Sequence, residues 1–146
     1  MTRSLIREHL FKLLFRVEFN EPEDMPDQVR LYFEDSWPED DQESCGSDIP
    51  EEDAKYIRDK YEKITRQLVQ LDEKISSAAR GWSLSRIGKV ELAILRLAVY
   101  EMLYDDDIPV GVAIDEAVEL AKKFGQDTSG SFINGILATL AKQIDQ

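Results

Sequence analysis

Arg3 and Arg7, four residues apart, are the first residues in the chain whose type and spacing could do chemistry. On a helix that separation places two side chains on one flank, and guanidinium groups held at a fixed place can take up phosphate oxygens. Solvation is the ordinary fate of charges on a helix flank, and the pair alone does not decide between the two. The remaining candidates argue against catalysis. His9 has no second histidine or carboxylate cluster near it in sequence and reads as structural, neither ligand nor base. Asp105, Asp106 and Asp107 are adjacent but lack the glycine, spacing and closing glutamate of a calcium loop; acids are also favourable just before a helix start. Cys45, the single cysteine, cannot form an internal disulfide and has no metal-ligand spacing around it. GxSxG, Walker, GxGxxG and HExxH motifs are absent. The residues present therefore imply no enzyme, no metal and no cofactor.

Positioning such residues requires a core, and 146 residues with 42% hydrophobic content are enough to bury one. The chain reads as a single domain of two helical halves, 1–80 and 81–146, the first carrying an acidic insert at 20–53. The formal charge of −12 appears hostile to nucleic acid, yet 20–53 holds 14 acids against one base, Arg30, while the rest holds 16 acids and 17 bases. The acidity thus belongs to one segment, and the start of the chain, with Arg3, Arg7, Lys12 and Arg16, can present a small basic surface. Residues 1–19 interleave arginine and lysine with their apolar residues and do not resemble a secretory signal. With one cysteine, the expected setting is cytoplasmic.

Residues 82–104 form the one long stretch that is apolar nearly all round, interrupted beyond Val90 only by the charges of Glu91, Arg96 and Glu101. That pattern predicts a helix surrounded by protein; its charges and the lack of an uncharged run of ~18 residues argue against a membrane span. Residues 4–19 carry a buried stripe of Ile6, Leu10, Leu13, Leu14 and Val17, with Phe11 and Phe15 as a second apolar strip. A short helix is expected at 27–37 and a mobile acidic loop at 38–48. Ile57, Tyr61, Ile64, Leu68, Leu71 and Ile75 recur in steps of four and three, predicting one long helix over 51–77 with Lys60 on its outer face. Gly81 breaks the pattern. Pro109 opens a helix over 110–124 that ends at Gly125, and the loop 126–130 precedes a last helix burying Phe132, Ile133, Ile136, Leu137 and Leu140. No strand pattern occurs, so the fold class is all-α, with six or seven helices.

Three blocks then carry a resemblance: WSLSRIGKVELAILRLAVYEML at 82–103, IPVGVAIDEAVELAKKFG at 108–125 and SFINGILATLA at 131–141. Together, with a weaker match in RSLIREHLFKLLF near the start, they resemble the NusB family of bacterial transcription antitermination factors. The resemblance implies an all-helical fold of two bundles and binding of single-stranded boxA RNA together with the small-subunit ribosomal protein NusE. It further implies assembly with other antitermination factors in support of ribosomal RNA synthesis, and no membrane partner. Residue by residue, it implies RNA contact for Arg3, Arg7, Thr128, Ser129 and Phe132, and contact with NusE for Glu91. Arg96 and Glu101 are expected to be structural ions, and Asp115 and Glu116 to make interhelical hydrogen bonds. The chain departs from the family at Ser4, Thr128 and Ser131, where charged residues are usual. A helical protein-interaction module with little or no RNA binding is the alternative.

Overall fold

The computed structural model describes residues 1–34 and 49–144, and the expected acidic loop, Trp37 and Cys45 lie outside them. The described residues form seven α-helices and two short 3₁₀ turns, with no strand among them. They divide into two compact units, Met1–Lys63 and Ile64–Gln146.

In the first unit α1 spans Arg3–Val17 and α2 spans Met25–Glu34, the latter entered through a 3₁₀ turn at Pro22–Asp24. Thr2 starts α1 by accepting the Leu5 N–H on its Oγ1 at 3.1 Å, satisfying one of the donors that a helix start leaves unpaired. The Asn20 side chain donates to the Arg16 carbonyl at 2.9 Å beyond the other end. Leu10, Leu13 and Leu14 are buried as the stripe predicts. α1 and α2 meet through Tyr32, which is fully buried, shares a hydrogen bond with His9 Nδ1 and lies under the Arg16 guanidinium at 5.0 Å. α3, Glu51–Arg66, follows. Arg58 in α3 stands 5.2 Å over the Phe33 ring and pairs with Glu51 at 3.2 Å.

The long helix expected over 51–77 is interrupted: α3 ends at Arg66, and α4 runs Leu68–Ala78. Between them Gln67 has φ −107° and ψ 11°, and its N–H bonds back three residues to Ile64 at 3.0 Å. That is a tightened turn, and neither glycine nor proline marks it in the sequence. Lys60 is a second departure from expectation. It is buried, with its ammonium 5.8 Å from the Tyr56 ring, so the aliphatic stem is packed where a solvated face was expected.

In the second unit α4 is followed by a connector, then α5 (Lys89–Tyr104), α6 (Val110–Phe124) and α7 (Ser129–Ile144). Every residue of α5 from Leu92 to Met102 is buried. The apolar wrap of that segment thus marks the central helix, which packs on α4, α6 and α7. Arg96 and Glu101 are buried with it. Arg96 makes a two-pronged bond to Asp72 of α4, both N···O distances 2.9 Å, which satisfies the planar guanidinium inside the packing. Among the described residues no helix is long and apolar enough to cross a membrane.

Candidate nucleic-acid interface

The second unit builds its candidate surface at the start of α7. α6 ends where the Gly125 N–H donates to the Ala121 carbonyl at 2.9 Å. Gly125 is extended, φ −98° and ψ −163°, so the glycine does not serve the left-handed cap that a helix-ending glycine commonly supplies. Close approach requires it instead: a Cβ there would sit 2.7 Å from the Ser129 hydroxyl and 2.8 Å from the Ala121 carbonyl. The loop thereby folds tightly onto Ser129, whose Oγ accepts the Gln126 N–H at 2.9 Å and donates to Glu91 Oε1 at 2.6 Å.

Glu91 lies in the first turn of α5, where a carboxylate is favoured by the helix dipole. Its other oxygen lies so close over Gly88 that a Cβ on Gly88 would collide with it. The half-buried Glu91 therefore spends one oxygen tying the start of α5 to the start of α7. Ser129 is only 3% exposed and its hydroxyl has both roles filled, so it shapes the loop and presents little to a ligand. The Glu91 to Ser129 tie was not legible in the sequence, because the two residues are 38 positions apart and no periodic pattern relates them.

The neighbours of Ser129 face outward. Thr128 and Ser131 are exposed, and Phe132 is half-buried with its ring in a T-shaped contact to Trp82, centroids 5.5 Å apart and planes at 76°. Trp82 remains 50% exposed. Tryptophan is rarely fully buried and is enriched at interfaces, where one end meets apolar surface and the other water. Beside α7 an open groove of about 710 Å³ is lined by Asp115, Glu119 and Asp127 together with Lys122 and Asn134. Asp115, expected in an interhelical hydrogen bond, is exposed on this groove. Lys122 is engaged by Glu119 at 3.3 Å, so the groove is predominantly anionic and ill suited to phosphate.

In the first unit Arg3 is exposed in the first turn of α1, a turn with no acidic residue. A cation there opposes the helix dipole, while the same helix end with an arginine attracts an anion. Arg7, one turn further along α1, is not exposed with it. The residue is 4% exposed, so a side chain expected on a solvent flank lies within the packing. The structure thus exposes Arg3, Thr128 and part of Phe132, and buries Arg7 and Ser129.

The NusB family model matches residues 4–142. A transcription antitermination protein NusB of Lachnoclostridium phytofermentans is 49% identical over 138 residues, covering 94% of this chain and 97% of its own length. That of Agathobacter rectalis is 45% identical over 141 residues, 97% of this chain and 100% of its own. Among solved structures, T. maritima NusB superposes with a TM-score of 0.77 at 34% identity, covering 98% of this chain and 92% of that one. A chain in a complex of the antitermination factors NusB and NusE with double-stranded RNA gives a TM-score of 0.72 at 23% identity, with coverage of 97% and 96%, a likeness of fold. By its sequence, along nearly its whole length, the chain belongs to the NusB family.

Proposed function

We propose that the chain is a cytoplasmic, non-catalytic transcription antitermination factor that binds boxA-type single-stranded RNA together with the ribosomal protein NusE, within a larger set of antitermination factors. Full-length similarity to curated antitermination proteins supports the role. One structural observation supports RNA as the ligand. Phe132, with its ring held by Trp82, follows one turn after the exposed Thr128, its N–H bonded to the Thr128 carbonyl at 3.1 Å, giving an aromatic and a polar group of the kind that contact unpaired bases. Arg3, exposed at the start of α1, supplies a phosphate contact. Arg7 is buried, and Ser129 acts from inside by fixing the loop before α7. Glu91 meets NusE through the carboxylate oxygen that Ser129 does not occupy.

The burial of Arg7 and Ser129 favours a second reading, a helical protein-interaction module with little RNA affinity. Fluorescence anisotropy with boxA-type RNA, with and without NusE, separates the two. Salt-sensitive binding in either condition is expected; capture of NusE with no RNA binding under any condition selects the second reading. A duplex of the same RNA belongs in the comparison, since the related complex contains double-stranded RNA.

A further inference from the structure

We infer that the connector between α4 and α5 is a single-strand RNA contact of this chain, Trp82 offering a face to an unpaired base and Arg80 and Arg86 binding the flanking phosphates. The inference rests on the RNA reading above and extends it to an element to which that reading gave no contact of its own.

Charge is the first observation. The chain has 30 acids in 146 residues, about one in five, yet 74–89 contains none. The same run holds Lys74, Arg80, Arg86 and Lys89. In a protein of net charge −12 such a run is a local positive field. Arg80 and Arg86 are both exposed, and among the described residues neither pairs with a carboxylate.

The second observation is how firmly the connector is built. Gly81 adopts φ +81° with open space around it, a conformation that side-chain-bearing residues rarely take. The Trp82 N–H closes this turn on the Ala79 carbonyl at 3.0 Å. A 3₁₀ turn follows at Leu84–Arg86, and the Ile87 N–H bonds to Leu84 at 3.2 Å while the Ile87 side chain is buried. With its backbone bonded to itself and anchored at Ile87, the connector directs Trp82, Ser83, Ser85 and the arginines to solvent. The T-shaped contact with Phe132 fixes the indole and joins the connector to the start of α7.

These features match a single strand more closely than other polyanions. Unpaired bases stack on aromatic faces while cations follow the backbone. A duplex shows its phosphates but keeps its bases stacked within. The anionic groove beside α7 would repel the same strand, leaving the connector as the favourable flank of Phe132.

The test uses the full chain and labelled boxA-type RNA, as a single strand and annealed to its complement, over a series of salt concentrations. Trp82→Ala should weaken single-strand binding roughly five- to a hundred-fold and leave duplex binding unchanged, while Trp82→Phe retains most of the affinity. The double variant Arg80→Ala/Arg86→Ala should lower the slope of log K against log salt by about 1.4 for a single strand. Thermal melting reports folding, and the arginine variant, altered only at exposed positions, still decides the matter if Trp82→Ala melts early. Unchanged affinity and slope in all these variants, with the unaltered chain binding RNA, would overturn the inference and leave the RNA reading standing. Loss of NusE binding with unchanged RNA affinity would overturn it also, making the connector a protein surface. If the unaltered chain binds neither form of RNA, with or without NusE, the underlying reading fails and this inference with it.

Discussion

At the scale of single residues, two side chains inferred to touch RNA are buried, and one of them, Ser129, has a structural duty that its type does not announce. Arg7 was legible as a member of the N-terminal family block and Ser129 as part of the loop between two others, but burial is a tertiary property and periodicity gave no sign of it. The consequence is measurable. Ser129→Ala removes the donor to Glu91 and the acceptor for Gln126 N–H, so chemical denaturation should show a loss of about 1–3 kcal/mol. A variant as stable as the unaltered chain would return the hydroxyl to the ligand surface. Arg3→Ala should instead leave stability within about 0.5 kcal/mol, as exposed substitutions do, and lower the salt dependence of RNA binding. His9 adds a pH term. It is 1% exposed, and burial foremost, then the neighbouring Lys12 charge, lowers its pKa from 6.5 to about 4, with Glu8 opposing. The unfolded chain therefore binds a proton between those values that the folded chain refuses. The contribution of His9 is full above about pH 6.5 and is lost progressively as the pH falls toward 4. Denaturant titrations across pH 7 to pH 5 should show this decline in the unaltered chain and a flatter profile in His9→Gln.

At the scale of elements, what could be read was whatever repeats. The stripe of α1 and the proline before α6 each predicted a helix within a few residues of its observed bounds, whereas the apolar stretch 82–104 marked the central helix but not its start: α5 begins only at Lys89, and the 3₁₀ turn Leu84–Arg86 lies where helix was expected. The turn at Gln67 could not be read. The apolar positions keep their spacing through it, and Ile64, Leu71 and Ile75 stay buried on either side, so the pattern describes one helix where the backbone makes two. Glycines were legible as breaks but not by cause. Gly81 is needed for its positive φ, in open space, and Gly81→Ala should cost about 1–2 kcal/mol. Gly125 is needed because atoms crowd it, including the backbone carbonyl of Ala121 that cannot swing aside. Gly125→Ala should therefore melt lower than Gly81→Ala and also disturb the Ser129 to Glu91 bond. Thermal melts of the two variants check the order, and equal melting would show that the loop relaxes around an added methyl.

At the scale of the whole molecule, the sum of charges and their placement point in opposite directions. A net charge of −12 repels RNA at long range, while the exposed cations of the connector and of the start of α1 are the groups proposed to meet it at contact. Long-range repulsion works only within the Debye length, ~8 Å at physiological salt and ~30 Å at about fifteenfold dilution. Its sources can be separated from the contacts by sequence alone, because the acids concentrate in 20–53. Replacing Glu39, Asp40, Asp41 and Glu43 by their amides removes four carboxylates and takes the formal charge from −12 to −8. RNA association should then accelerate at low ionic strength, and the gain should vanish as salt rises, since no contact has been added. Stopped-flow association with boxA-type RNA at several salt concentrations measures this directly. A gain that persisted at high salt would mean that these carboxylates oppose RNA at contact range, and a loss of NusE binding would mean that they hold a basic partner instead.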